Sequence, residues 1–160
     1  MKFKRKIANL IQPKKNFITK KRLREDEIDF GRLRSYRLDR VKKELEKNNL
    51  EACILFDPVN VRYALDSLNM SVYNMHNLTR YCFIPVYGPT ILYEYFNCEI
   101  LSDHLNLIDE IRPAITWDYF SNGDQASNQL DKWIKEVKDL SSSYFKSKKI
   151  AIDVLNGPAV

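Results

Sequence analysis

Apolar and polar positions alternate with two different periods along this chain, and the periods divide it into elements. From Ser35 to Asn49, "SYRLDRVKKELEKNN" sets Leu38, Val41 and Leu45 at helical spacing, with Ser35 able to cap the start and the asparagine pair able to end it. "LEACILF" (50–56) is a short apolar strand. Further strands are predicted at 80–86 ("RYCFIPV"), 90–96 ("TILYEYF") and 114–119 ("AITWDY"), with Gly88 and Pro89 turning the first into the second as an antiparallel hairpin. The clearest helix lies in "SNGDQASNQLDKWIKEVKDLSSSYFKSKK", where Leu130, Trp133, Ile134, Val137, Leu140 and Tyr144 form one stripe with Lys and Glu opposite. "KIAID" (149–153) follows as a buried-type strand. The order helix, strand, short helix, hairpin, irregular crossover, strand, long helix, strand implies an α/β sandwich with a mixed β-sheet flanked by helices.

Residues 1 to 30 do not share this regularity. "MKFKRKIANLIQP" offers one or two amphipathic turns before Pro13 stops it, and no period is sustained beyond. The segment reads as a basic N-terminal arm preceding a domain over 31–160. Ten of the 26 basic residues lie in the first 24 positions and none of the 21 acids does, which leaves 16 basic against 21 acidic residues in the remainder. The pI near 9.0 therefore belongs to the arm, and binding of nucleic acid by the globular body is disfavoured. The arm itself fits contact with an anionic partner, an organellar targeting peptide, or a solvated extension that packs Phe17, Ile28 and Phe30 on its own domain.

Other features exclude function classes. No window approaches the ~18 apolar residues of a membrane span, and no apolar core follows the N-terminal charges as in a secretory leader. Cys53, Cys82 and Cys98 form no tight pair, and two of them sit in apolar runs, as core thiols of a protein in a reducing, cytoplasmic setting do. His76 and His104 lie far apart without a metal-binding spacing. The final "IAIDVLNGPAV" ends just after a strand at Pro158, a typical first-turn helix residue, so the domain is expected to be incomplete, short of a last helix and strand.

The densest polar stretch is "LFDPVNVRYALDSLNMSVYNMHN" (55–77). Locally, Asp57 and Pro58 suit the first turn of a short helix, Tyr63 suits a core position, and Arg62 is spaced to pair with Asp66 one turn on. Asn60, Asn69, Asn74 and Asn77 are able to satisfy backbone groups of a tight loop, leaving Arg62, Tyr73 and His76 to project outward.

These residues also carry a resemblance. "RSYRLDRVKKELEKNNLEACILFDPVNVRYAL" resembles the N-terminal domain of the creatinase, prolidase and Xaa-Pro aminopeptidase superfamily, in which an opening helix of the form R-x-x-R leads through a strand to N-(h)-x-Y-(h), here Asn60 to Ala64. Ser67-Leu68 stands where many members have a glycine. The extension "YALDSLNMSVYNMHNLTRY" is similar to the branch containing the dimethylsulfoniopropionate lyases, and the resemblance spans about residues 32 to 153.

The resemblance implies an N-terminal α/β domain preceding a larger "pita-bread" domain that holds two divalent metal ions on Asp, His and Glu ligands. It further implies a homodimer, or docking on such a catalytic domain, with Arg62, Tyr73, Asn74 and His76 edging the substrate pocket across the interface. An aromatic face such as Tyr73 suits a sulfonium or other cation. The metal-ligand domain has no counterpart in these residues, so the chain alone is expected to hold no cofactor and to catalyse nothing. The competing reading is a small basic protein that binds nucleic acid or anionic lipid through residues 1 to 24.

Overall fold

The apolar runs pair into one five-stranded sheet in the computed structural model, which describes residues 27–145 and 149–155. Strand β1 (Ala52–Leu55) pairs antiparallel with β2 (Tyr81–Pro85), and β2 pairs antiparallel with β3 (Ile91–Glu94). The flanking strands β4 (Glu110–Pro113) and β5 (Ile150–Ile152) run parallel to β3 and β1, giving the order β4-β3-β2-β1-β5. The predicted class, α/β with a mixed sheet between helices, is what the chain adopts. Residues 1–26 of the expected arm over 1–30, and the segment around Pro158, lie outside the described residues.

The 2-residue period of the strands sorts their side chains to two faces. On one, Ala52, Ile54, Phe56, Tyr81, Phe83, Ile91 and Tyr93 meet Trp133 and Leu140 of the long helix α5 (Ala126–Tyr144). On the other, Cys53, Cys82, Ile84 and Leu92 meet Leu38 and Leu45 of α1 (Phe30–Lys47) and Val61, Ala64 and Leu65 of α2 (Pro58–Leu65). Two short helices complete the layers, α3 (Ser71–His76) and α4 (Tyr119–Asn122).

Three expectations change. Helix α1 starts at Phe30 and not at Ser35, because the Asp29 carboxylate accepts from the Arg32 amide at 2.9 Å and so caps a turn that the apolar spacing alone does not reveal. The strand expected at 114–119 lies instead at Glu110–Pro113. The Ala114 amide donates to the Glu94 carbonyl at 2.8 Å, after which Ile115 packs over the α5-side core and Trp117 is buried in it. That run is apolar because it covers the core, and period alone does not separate such a cover from a strand. Tyr144, placed on the α5 stripe, is 44% exposed. Its ring lies against the β2–β3 turn, where a side chain at Gly88 (φ 123°) would meet Tyr144 Cδ1 at 3.2 Å.

Candidate functional site

All five strands place their chain connections of interest at one end of the sheet. The C-terminal ends of β1, β3, β4 and β5 and the start of β2 lie there, and residues 66–80 loop across it. The loop is anchored first at its helix. The Asp57 carboxylate accepts from the Val59 and Asn60 amides at 2.7 and 3.1 Å, with Pro58 in the first turn of α2. Asp153, just past β5, holds the same corner by accepting from the amides of Phe56 (2.8 Å) and Asp57 (3.1 Å) and from Asn60 Nδ2 (3.0 Å). Helix α2 ends on Asp66 in the left-handed region (φ 59°), and the carboxylate of Asp66 pairs with Arg34 Nε of α1 at 2.8 Å.

Beyond Asp66 the loop closes over a buried ion pair. Arg80 Nε meets Glu94 Oε2 at 2.7 Å, with the two side chains 2% and 0% exposed. The loop and its neighbouring strand engage the pair further. Asn69 Nδ2 donates to Glu94 Oε1 at 3.0 Å, as does the Tyr95 amide at 2.9 Å, and Arg80 Nη2 donates to Ser67 Oγ. The Ser67 hydroxyl in turn lies 2.6 Å from that of Ser102. Satisfying a buried charge in this way is what makes its desolvation tolerable.

A second polar knot continues from the first. Asn74 is buried, with Nδ2 donating to the Asn69 carbonyl at 2.5 Å and Oδ1 accepting from the Tyr95 hydroxyl at 2.7 Å, while the Thr79 hydroxyl contacts Tyr95 Oη. Burial raises the Tyr95 phenol above its ordinary value, so it stays protonated and available as a donor. The Tyr73 ring stands 6.3 Å from that of Tyr95, centroid to centroid.

Among the residues expected at a pocket edge, Tyr73 is half-buried against Tyr95, and His76 is exposed at the end of α3. Arg62 is exposed on α2 and does not pair with Asp66, whose partner is Arg34. Asn74 faces inward with both ends of its amide occupied, so its part is to hold the loop and not to face a ligand. Tyr63 is 38% exposed instead of core, its ring covered by the Arg37 guanidinium at 5.5 Å. The sequence reading missed Arg80, Glu94, Ser67, Ser102 and Asp153. The available signal was an acid in the middle of the apolar run "TILYEYF", a placement that demands a buried cation nearby.

No protein-family model matches the chain. Over 116 residues it is 31% identical to dimethylsulfoniopropionate lyase DddP of Roseovarius nubinhibens, a match covering 72% of this chain and 26% of that protein. Over 131 residues it is 30% identical to dimethylsulfoniopropionate lyase DddP of Roseobacter denitrificans, covering 81% and 29% respectively. The chain belongs to the creatinase and prolidase superfamily, in its dimethylsulfoniopropionate-lyase-like branch. This superfamily member spans between a quarter and a third of the length of the curated relatives it matches. Among solved structures it is similar to a Xaa-Pro aminopeptidase from Streptococcus pyogenes, with a TM-score of 0.46, 11% identity and coverage of 77% of this chain and 93% of that one.

The described residues include no grouping of three or more His, Cys, Asp or Glu side chains able to hold a metal ion. His104 lies 3.9 Å from the neighbouring Asp103, and both are solvent-exposed. No described helix is long and apolar enough to cross a membrane. Cys53 and Cys82 are buried among the strands, and burial, aided by the Asp153 charge, pushes the Cys53 thiol up to about 12. Such a thiol is a small apolar side chain at neutral pH and no nucleophile.

Proposed function

We propose that residues 31–160 serve as the non-catalytic N-terminal domain of a two-metal enzyme resembling Xaa-Pro aminopeptidase and creatinase and most like dimethylsulfoniopropionate lyase. In this reading the domain supplies an assembly surface, in a homodimer or against a pita-bread catalytic domain, and one edge of the substrate pocket. The observation that carries it is the 66–80 loop. Its inner side is spent on the Arg80–Glu94 network, which fixes its shape, while Tyr73 and His76 are kept toward its outer side. A loop whose polar groups serve only its own geometry is built to present a fixed surface.

The family's two divalent metals do not fit the donor set of this chain, because the described residues offer no carboxylate–histidine cluster. No chemical step is therefore assigned to these residues. Tyr73 contributes an aromatic face suited to a sulfonium or other organic cation, His76 a polar group beside it, Arg62 a positive charge farther along α2, and Asn74 the hold on the loop. The test is the purified chain with manganese, iron or zinc and with dimethylsulfoniopropionate. The expected result is no tight metal uptake and no release of dimethyl sulfide. Uptake of two equivalents of metal that survives desalting, or turnover by the chain alone, would overturn the assignment of roles.

A further inference from the structure

Charge divides the folded body as unevenly as it divides the chain. Helix α1 holds seven Lys or Arg against three acids, whereas residues 48–160 hold nine against fourteen. The net acidity of the body, which speaks against a polyanionic partner, is thus an average over α1 and everything after it. On α1 the surplus is concentrated further. Leu38, Val41 and Leu45 turn inward to the sheet, while Arg32, Tyr36, Arg40, Lys43 and Lys47, each three or four positions from the next, run as one exposed stripe along the solvent side. Lys47 meets Glu44 at 3.5 Å, and neither Arg40 nor Lys43 enters an ion pair among the described residues.

Aromatic rings interleave with these cations. The Arg40 guanidinium lies 5.9 Å from the centroid of the Tyr36 ring, and that of Arg37 lies 5.5 Å from the centroid of Tyr63. A guanidinium held against a ring keeps its N–H edge available for a phosphate. Tyr36 itself is 57% exposed, so its ring has surface left to offer. Shallow hollows flank the Tyr36–Arg40 stack. One, of about 580 Å³, is lined by Ile28, Leu33 and Tyr36 among others, and the second, of about 300 Å³, by Arg40, Val41, Leu50 and Tyr63. Each also holds a carboxylate, Asp29 in the first and Glu44 in the second, able to accept from the amino group of a nucleobase.

We propose that the outer face of α1 binds single-stranded nucleic acid, with Arg32, Arg40, Lys43 and Lys47 meeting phosphates and Tyr36 stacking on a base. A cationic track that carries an exposed ring is what such a strand requires, because phosphates supply the attraction and any base has a face to stack. Other polyanions match only half of the stripe. A duplex offers phosphates but keeps its base faces stacked inside, which leaves Tyr36 without a partner. An anionic membrane takes up a basic helix by burying its apolar face, and the apolar face of α1 is already spent on the sheet. The ten basic residues within positions 1–24 precede the stripe in the chain and add attraction for any polyanion. What distinguishes a single strand is therefore assigned to Tyr36 and Arg40.

Fluorescence anisotropy of the full chain with a labelled, mixed-sequence RNA of about 12 nucleotides, at about 50 and 200 mM salt, tests the proposal. The expected result is binding that weakens at the higher salt. Tyr36→Ala should weaken it roughly tenfold, the scale of one lost base stack, and Tyr36→Phe should bind as the wild type does. Lys43→Ala should lower the slope of log affinity against log salt by about 0.7, one phosphate contact on a single strand. Lys132→Ala, on α5 across the sheet, should change nothing. Absence of binding at the lower salt would overturn the proposal, and so would binding that Tyr36→Ala leaves intact, since the arm alone would then account for it. Tighter binding to a duplex of the same sequence, or to vesicles of phosphatidylserine and phosphatidylcholine, would overturn it as well. Circular dichroism checks the folds, and if Tyr36→Ala is unfolded, Arg40→Gln decides by the same tenfold criterion. Metal uptake and turnover enter none of these outcomes, so the enzyme-domain reading and the strand-binding face fail separately.

Discussion

The two faces of the sheet close in different ways at the end that carries the loop. On the α5 side, Phe56, Tyr81, Trp117 and Trp133 fill the space with rings whose centroids lie 4.6 to 6.1 Å apart. On the α1 and α2 side the corresponding depth holds Arg80, Glu94, Ser67, Asn69 and Asn74. Hydrophobic burial is non-directional and tolerates repacking at similar volume. A buried charge pair is satisfied only in one arrangement of its neighbours. The difference suggests a division of labour in which the apolar side makes the domain fold and the polar side decides which shape one loop takes.

The sharpest way to break that comparison is to remove one charge. Glu94→Ala leaves the Arg80 guanidinium buried without its counter-ion and should cost roughly 3–5 kcal/mol, read as a drop in the urea midpoint at unchanged slope. Replacing both, as Arg80→Met with Glu94→Leu, should restore part of that loss, because an apolar pair of similar volume leaves no buried charge, while Asn69 and the Tyr95 amide lose their acceptor. The double variant should nonetheless exchange its amides faster over 67–79. Restored stability with an unchanged loop would mean that the pair contributes nothing to loop geometry, and the division of labour would fail.

How much of this was legible in the sequence follows the same division. The strand at 50–56, the hairpin and the long helix were read correctly because apolar side chains that meet a sheet or a helix must recur at period 2 or 3.6. The capping role of Asp57 was legible too, since an Asp-Pro pair ahead of an apolar run has few other uses. The network was not. Arg80 and Glu94 are separated by a whole hairpin, and only the pairing of β2 with β3, Tyr81 opposite Tyr93, brings them together. Asn74 was assigned to a pocket edge because residue type does not record direction. In a six-residue helix, one step separates its inward amide from the outward Met75.

A smaller effect sharpens the account of the corner beneath the loop. Asp57→Ala removes the acceptor for two amides at the start of α2 and should cost about 1 kcal/mol, within the 0.5–2 kcal/mol range for such caps. Thermal unfolding is the readout. Asp57→Asn should recover much of it, because an amide oxygen caps nearly as well as a carboxylate. If the asparagine variant is no better than alanine, the corner depends on the negative charge at the helix N-terminus and not on the hydrogen bonds.

A further effect is invisible at neutral pH and probes the apolar layer beneath the α1 and α2 side of the sheet from within. Cys53 and Cys82 lie in adjacent central strands, and burial raises both thiols, Cys53 to about 12. The folded state therefore keeps these protons after the unfolded chain, with thiols near 9, has begun to release them. Their contribution to stability is complete below that unfolded value and is lost as the pH rises from there through the folded one, by about 1.4 kcal/mol per pH unit for each group. Between pH 8.5 and about 10 the wild type should lose stability to urea, and Cys53→Ala, apart from a constant offset for the missing sulfur, should lose it less steeply. A wild-type profile that is flat across this window would mean that the thiols ionise in place, which requires water between β1 and β2. The strands would then be less tightly closed than their register implies.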